Sequence, residues 1–256
     1  DQTIETLQAM GHSLRDILGL SASAVGVRLL SATESPSALT RRLQGYRYCQ
    51  ALVAARHGQF VVLDGEGIAC PAAAAAFGFR PLPENLQNGK GLVGFGIVAD
   101  EAVGRHMFES MPTLPPGQIQ QLHLFPLDQA QELPDVVVVE DEVEKLMWLN
   151  LAYLHATGGQ RIVSSTAVLQ ATCVDATIIP YLEERLNFSY GCYGCRDATD
   201  LGSHEAVLGF PATILRMSMI YGPGDVPLDG WGGRRREFFA MLQQGETIPL
   251  PHAGLA

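Results

Sequence analysis

The chain has 256 residues, of which 47% are hydrophobic and 17% are charged, and its formal net charge is −10. A chain of this length can bury a large core without disulfides, and the composition excludes a disordered protein or a small disulfide scaffold. Acidic residues outnumber basic residues 27 to 17, so nucleic acid, which binds basic surfaces, is not an expected partner.

The N-terminal sequence DQTIETLQAM shows no secretory signal pattern. No segment approaches the roughly 18 consecutive apolar residues that a membrane-spanning helix needs. The chain contains five cysteines, an odd number, which is typical of a protein in a reducing compartment. We therefore expect a cytoplasmic protein that makes no membrane contact.

The first elements alternate between helix and strand. Apolar residues recur at helical spacing until Gly19, which predicts an amphipathic helix over residues 3–19. Residues 24–30 predict a short strand. The segment YRYCQALVAARHG predicts a helix that ends at Gly58, and FVVLD at residues 60–64 predicts the next strand. This succession is typical of a domain that mixes helices with a sheet.

Cys70 precedes a proline and five alanines in the segment IACPAAAAAF. Alanine is the strongest helix former and proline is favoured at the first helical position, so Pro71 is predicted to begin a short helix with Cys70 at its N-cap. The amide groups at a helix start stabilise anions, which would favour a thiolate at Cys70. The alternative is that Cys70 is only a small buried residue.

Gly89, Gly91 and Gly94 match the pattern G-x-G-x-x-G. A dinucleotide fingerprint requires a strand immediately before the glycines and a helix immediately after them. Here the flanking sequences PLPENLQN and FGIVAD predict a loop and then a strand. We therefore interpret the match as a glycine-rich hairpin or bulge and not as a phosphate site.

The middle of the chain predicts further strands and a long helix. The segment QIQQLHLFPL predicts a strand with core contacts from Ile119, Leu122 and Leu124. PDVVVV predicts an apolar strand, and the acidic residues after it are expected at the start of a long helix that ends at a glycine pair. RIVSS predicts another strand.

The segment TAVLQATCVDATIIPYL predicts a helix that carries Cys173 and Asp175 and whose end is limited by Pro180. No internal repeat and no low-complexity linker divides the chain. The predicted fold class is therefore α/β, or α+β, with a mixed sheet and packed helices in a single main domain.

Cys192 and Cys195 lie in the turn GCYGCR, whose glycines allow the backbone to fold tightly around a bound group. The C-x-x-C pattern alone is shared by redox pairs, zinc knuckles and iron–sulfur sites. A compact fold can bring the dispersed cysteines Cys49, Cys70 and Cys173 beside this turn. One close pair with single cysteines fits a cluster better than a zinc ribbon, which uses two close pairs. We expect at least one of the five to pack in the core.

Arg196 follows the cysteine pair directly. It is a candidate to bind an anionic substrate or to stabilise the negative charge of a cluster. The acidic residues nearby, Asp197, Asp200 and Glu205, favour the alternative of an ion pair. The seven histidines form no H-x-x-H or H-E-x-x-H pattern, so a histidine-based hydrolytic metal site is not expected.

Five segments of the chain resemble the family called "domain of unknown function 169": YCQALVAARHG, IACPAAAAAFGF, PDVVVV, QATCVDATIIPYL and GCYGCRDATDLGSHEAVLGFP. The resemblance extends from the N-terminal helix to about Pro211 and identifies residues 1–211 as one cysteine-containing domain. It implies that the five cysteines occupy recurring positions of the family. Members of that family are common in anaerobic bacteria and archaea, which is compatible with oxygen-sensitive clusters. It implies no settled reaction.

Residues 212–256 resemble the C-terminal part of an extended short-chain dehydrogenase of the sugar-nucleotide epimerase type, in the segments PATILRMSMIYGPGD and FFAMLQQGETIPLPHAG. The catalytic Tyr-x-x-x-Lys pair of such an enzyme is missing, because the two lysines are Lys90 and Lys145 and neither follows a tyrosine at that spacing. We therefore expect a tail that is not an independent domain and that provides structural surface or an oligomer contact.

The sequence thus predicts a protein that gathers cysteine thiolates into a metal or redox centre, most simply a four-iron four-sulfur cluster. The favoured metal ligands are Cys70, Cys192 and Cys195, with Cys49 and Cys173 as further cofactor-binding candidates. The expected partners are an electron-transfer protein, a small anionic substrate bound near Arg196, and a second copy of the chain. The alternatives are a zinc-stabilised non-catalytic subunit, a metal-free thiol or sulfur-transfer protein, and a scaffold with buried cysteines.

Overall fold

The computed structural model describes residues 2–36, 40–159, 169–190 and 205–211. Within these ranges the chain forms helices on both sides of one sheet. The α-helices are α1 (Gln2–Leu18), α2 (Tyr48–Arg56), α3 (Pro71–Ala76), α4 (Glu84–Gln87), α5 (Lys90–Gly94), α6 (Glu101–Glu109), α7 (Val143–Thr157) and α8 (Ile179–Glu183). A 3-10 turn covers Leu127–Gln129, and a π-helix covers Ala171–Ile178 and continues directly into α8.

The sheet has seven strands in the order β2-β3-β4-β1-β5-β7-β6. Only the β2–β3 pair is parallel and the other neighbours are antiparallel, so the sheet is mixed, as predicted. The strands are β1 (Val25–Leu30), β2 (Arg41–Arg42), β3 (Val61–Asp64), β4 (Gln121–Pro126), β5 (Val136–Glu142), β6 (Asn187–Tyr190) and β7 (Glu205–Pro211).

Apolar residues cover both faces of the sheet, so the central strands are buried on each side. Val136 and Val138 of β5 pack in one core with α2, α3 and the π-helix, whereas Val137 and Val139 pack in the other core with α1 and α7. A strand that is buried on both faces has a continuous apolar sequence instead of an alternating one. This explains the run VVVV. Strand β4 is buried on both faces in the same way, since Leu124 packs in the first core and Phe125 in the second.

Most predicted elements of the first half are confirmed. Helix α1, strand β1, helix α2, strand β3 and helix α3 lie within one or two residues of their predicted bounds. Gly58 has a φ of +93°, which suits glycine at the end of α2. The three predicted core contacts of the QIQQLHLFPL segment are also confirmed, since Ile119, which precedes β4, and Leu122 and Leu124 within β4 are all buried.

Three local predictions were wrong in whole or in part. Of the acidic residues after PDVVVV, Glu142 and Glu144 lie at the start of α7 as predicted, whereas Glu140 and Asp141 are buried residues of β5. The segment FGIVAD forms turns and no strand, and Asp100 at its end caps α6 by accepting a hydrogen bond from the Val103 amide at 2.9 Å. Pro180 does not end its helix, which continues to Glu183.

The glycine-rich segment is helical and is neither a hairpin nor a bulge. Gly89 is the N-cap of α5 with a φ of +83°, and a Cβ built on it would lie 2.1 Å from the carbonyl oxygen of Glu101. Gly104 in α6 faces it, and a Cβ built on Gly104 would lie 2.7 Å from the Gly89 carbonyl oxygen. These two glycines therefore let α5 and α6 pack with their backbones in contact, which explains the glycine at position 89 of the pattern.

We expect the substitution Gly89→Ala to lower the free energy of unfolding by about 2 kcal/mol or more, because it adds a left-handed backbone penalty to a backbone clash. The matched control is Gly94→Ala. Gly94 lies in the same short helix with no atom within 4 Å of its Cβ position, so its effect should be below about 1 kcal/mol. Urea unfolding measures both, and equal effects would contradict the close-packing explanation.

A buried ion pair joins α2 to β5. The guanidinium of Arg56 donates from Nη1 to Glu140 Oε2 at 3.3 Å and from Nη2 to the Glu140 carbonyl oxygen at 3.1 Å. Their side chains are 3% and 1% exposed. Beside this pair, Asp141 accepts hydrogen bonds from the Ser21 amide at 2.7 Å and from Lys145 Nζ at 2.9 Å.

The pKa of Asp141 reflects these contacts. Burial alone would raise the pKa of its carboxyl, but the hydrogen bonds from Lys145 and Ser21 outweigh burial and hold the pKa below its ordinary value. The carboxylate therefore stays ionised under neutral conditions. Its stabilising contribution is present above the ordinary carboxyl pKa and is lost as the pH falls through the lowered value.

We expect Glu140→Gln to lower the free energy of unfolding by about 3 to 5 kcal/mol, because it removes the buried carboxylate charge that pairs with the Arg56 guanidinium. The matched control is Glu109→Gln, which breaks the exposed Arg105–Glu109 pair and should change stability by less than about 1 kcal/mol. Urea denaturation measures both. The double variant Arg56→Met with Glu140→Leu should recover most of the loss, and failure to recover would show that the pair matters for reasons other than charge.

Among the described residues, no helix combines the length and the apolar character that crossing a membrane requires.

Candidate functional site

A cavity of about 510 Å³ lies where the first turns of α2, α3 and the π-helix meet the small helices α4 to α6. Its two walls differ in polarity. The wall from α2, α3 and the π-helix includes Arg47, Gln170 and Thr172, whereas the wall from α4 to α6 is mainly apolar. Ligand cavities of this size and mixed lining are typical of small-molecule sites in proteins.

Three of the five cysteines line this cavity: Cys49, Cys70 and Cys173. Cys49 is the second residue of α2, Cys70 is the N-cap of α3 and Cys173 is the third residue of the π-helix. The predicted position of Cys70 beside Pro71 is confirmed. Cysteines from three distant segments of the chain thus share one cavity, whereas the predicted approach of these cysteines to the 192/195 turn lies outside the described residues.

The three thiols differ in accessibility. Cys49 is 3% exposed and Cys173 is 5% exposed, whereas Cys70 is partly exposed. None of the three is in a disulfide, and the Cys173 thiol donates a weak hydrogen bond to the Gln170 carbonyl oxygen at 3.8 Å. Cys70 is therefore the thiol of this group that a reagent in solution can reach most easily.

The π-helix is held against α2 by a buried hydrogen-bond chain. The hydroxyls of Tyr48 and Thr177 lie 2.8 Å apart, and Thr177 Oγ1 also bonds to the Thr172 carbonyl oxygen at 2.7 Å. Burial raises the pKa of Tyr48 far above its usual range, and the hydrogen bond with Thr177 offsets this only in part. The phenol is consequently neutral, and its role is to join α2 and the π-helix.

Asp175 secures the other side of the π-helix. Its carboxylate accepts a hydrogen bond from Ser189 Oγ at 2.9 Å, and its carbonyl oxygen accepts one from Asn187 Nδ2 at 2.8 Å. In a π-helix this carbonyl would bond to the amide five residues later, which is Pro180 and has no N–H. The Asn187 side chain replaces the missing donor. Asp175 therefore anchors β6 and is not among the residues that line the cavity.

Arg47 is a site residue that the sequence analysis missed. It precedes α2, lines the cavity, and is partly buried. No acidic side chain is among the lining residues that the structure describes. The signal was present in the sequence, because Arg47 lies two positions before Cys49, but an arginine at a helix start has many ordinary surface roles and does not indicate a cavity.

The predicted site residues Cys192, Cys195 and Arg196 lie outside the described residues. Within the described ranges, no three His, Cys, Asp or Glu side chains are grouped closely enough to hold a metal ion. Cys49, Cys70 and Cys173 therefore share a cavity without forming a complete ligand set by themselves. A metal centre at this place would need at least one ligand from elsewhere in the chain, and the 192/195 pair is the predicted source.

A model of the family DUF169, described as uncharacterised ArCR proteins, matches residues 13–219. The chain belongs to this family. No curated protein and no solved structure matches it. The DUF169 match continues past Pro211 to residue 219, and the comparisons give no support to the dehydrogenase resemblance of residues 212–256, which lie outside the described residues.

In this DUF169 protein we expect Cys70 to react with iodoacetamide at least about ten times faster than Cys49 and Cys173, because the latter two react only after local opening. The experiment uses native protein after chelation of any bound metal, with peptide mass spectrometry to quantify each cysteine. Protein unfolded in urea is the control and should label all three at similar rates. Rapid labelling of Cys49 in native protein would contradict the burial of this thiol at the start of α2.

Proposed function

We propose that this DUF169 protein holds an iron–sulfur cluster, of the four-iron four-sulfur type, at the cysteine-lined cavity. The observation that carries the proposal is the convergence of Cys49, Cys70 and Cys173 on one cavity from three separate helix starts. Thiolate sulfur is the ligand that such clusters use. In this proposal the metal ligands are Cys70, from the described part of the chain, and the 192/195 pair. Cys49 and Cys173 are further cofactor-binding candidates.

The character of the cavity supports a thiolate-bound centre. A cluster with its thiolates carries negative charge, and Arg47 supplies a positive charge in the same cavity. The apolar residues on the α4 to α6 side limit the access of water, which is one of the ways in which a protein tunes a cluster. The proposed role is electron transfer or the binding of a small anion at the centre, with Arg47 and Arg196 as the candidate anion-binding groups.

A second candidate function is metal-free thiol or sulfur-transfer chemistry. The accessibility of Cys70 favours it, because a reactive thiol has to meet its substrate at the surface of a cavity. In this case Cys70 would be the nucleophile and the 192/195 pair a reversible disulfide. Zinc bound to the same thiols would instead stabilise the fold without redox chemistry.

The test is an anaerobic purification followed by a visible spectrum and by assays for iron, zinc and acid-labile sulfide on one sample. We expect broad visible absorbance with iron and sulfide in equal amounts. Cys70→Ser and the double variant Cys192→Ser with Cys195→Ser should each lose most of the iron. The matched control is Thr172→Ser, which changes a residue of the same cavity, keeps its hydroxyl and should retain the iron.

Each other outcome contradicts either the cluster or its proposed ligands. Stoichiometric zinc without iron or sulfide would indicate the zinc-stabilised protein. Colourless, metal-free protein with a fast-reacting Cys70 would indicate thiol chemistry. Iron that survives both the Cys70 and the 192/195 substitutions would show that the ligands are other residues.

A further inference from the structure

Two buried polar side chains line the cavity without a hydrogen-bond partner in the described part of the chain. Gln170 is 8% exposed and Thr172 is 3% exposed. Both residues bond to the π-helix through their carbonyl oxygens, which accept from the Val174 amide at 2.8 Å and from Thr177 Oγ1 at 2.7 Å, respectively. The side-chain amide of Gln170 and the hydroxyl of Thr172 take no part in these bonds, and a buried polar group without a partner is costly. Both groups are therefore available to a ligand.

The backbone conformation of Gln170 is unfavourable for any residue with a side chain. Its φ is +62°, in the left-handed region where a Cβ approaches the backbone too closely. Glycine would supply the same carbonyl oxygen to the start of the π-helix without that penalty. The turn itself therefore does not explain the glutamine. Strained residues of this kind are concentrated at ligand-binding and active sites, which agrees with the position of Gln170 in the cavity wall.

The wall from α4 to α6 offers an apolar surface to the same ligand. Leu86, Leu92 and Phe108 line the cavity and are buried in the small apolar core of these helices. Phe95, which follows α5 and also lines the cavity, is 70% exposed. An exposed aromatic ring can cover the apolar part of a bound molecule and gain burial as it does so. The ligand should therefore combine a polar group with an apolar or aromatic body.

The amide of Gln170 selects an uncharged group that has a donor and an acceptor side by side. Its Oε1 accepts a hydrogen bond and its Nε2 donates one, and the Thr172 hydroxyl can do either. A primary carboxamide or a lactam presents N–H and C=O next to each other and can exchange both bonds with Gln170. A carboxylate has no donor for Oε1 and an ammonium has no acceptor for Nε2. Either would leave a buried group unpaired, which costs more than a typical hydrogen bond contributes.

We propose that the cavity binds a small neutral carboxamide or lactam, with its amide group on Gln170 and Thr172 and its apolar or aromatic body against Leu92 and Phe108. The polar and apolar parts of this ligand correspond to the two walls of the cavity. The volume of about 510 Å³ lies in the range of small-molecule sites. The proposal goes beyond the cluster, because it shares the cavity and requires neither a metal nor a cysteine.

The first experiment compares benzamide, acetophenone and benzoate by equilibrium dialysis against the unaltered protein. The three probes share one aromatic body and nearly one size, and they differ in the polar group. We expect benzamide to bind at least about fivefold more tightly than acetophenone, which lacks the N–H donor, and than benzoate, which lacks the donor and carries a charge. Acetophenone or benzoate binding as tightly as benzamide would overturn the assignment of the amide. No binding of benzamide would overturn the proposal as a whole.

The second experiment tests Gln170 directly. Gln170→Met should abolish the preference for benzamide over acetophenone, because methionine has a similar length but no amide. Gln170→Gly should do the same without lowering the Tm, because it also removes the left-handed backbone penalty. The matched control is Gln118→Met, which changes an exposed glutamine outside the cavity and should keep the preference. A preference that survives both Gln170 substitutions, or that the control loses equally, would overturn the role of Gln170.

Iron and sulfide are measured on the same samples, which separates this proposal from the cluster. Benzamide binding in protein that holds no iron would support the amide site and overturn the cluster. Stoichiometric iron and sulfide in protein that does not bind benzamide would do the reverse.

Discussion

The hydrogen bond between the Tyr48 and Thr177 hydroxyls is the contact on which the cavity depends. It joins the first residue of α2 to the π-helix in a part of the core that excludes water, where an unsatisfied hydroxyl would be costly. The π-helix is also held on its other side by Asp175, Asn187 and Ser189. These contacts fix both the position and the rotation of the segment, and they bring Cys173 to the same cavity as Cys49.

Helix α2 is fixed at both of its ends by buried polar contacts. Tyr48 holds its start, and Arg56 holds its end through Glu140 in β5. A helix of nine residues that is constrained at both ends has little freedom to slide along the sheet. The positions of Arg47 and Cys49 relative to the sheet are therefore fixed by the contacts of Tyr48 and Arg56. Such a scaffold can present functional groups with little rearrangement on binding.

The second wall of the cavity has a different origin. Helices α4 to α6 are too short to bury much surface individually, and they pack through the close backbone contact of Gly89 and Gly104. Their apolar residues form a separate small core that faces the thiols of the main domain. The combination of a rigid polar wall and an apolar wall built from short helices suits a site that holds a charged group at one end and excludes water at the other.

The sequence by itself determined the elements of the first half, the mixed character of the fold and the family to which the chain belongs. Helical periodicity, the glycine after α2 and the proline at the start of α3 act over a few residues, so the local sequence is sufficient to predict them.

Predictions from the local sequence were wrong where burial in the tertiary structure decided which element a residue joins. Glu140 and Asp141 resemble helix-start residues until Arg56, Ser21 and Lys145 surround them, and Gly89 resembles a loop glycine until α6 packs against it. The convergence of Cys49, Cys70 and Cys173, and the presence of Arg47 beside them, came only from the tertiary structure. These residues belong to segments far apart in the chain, and their approach depends on how the sheet and the π-helix pack, which no local pattern encodes.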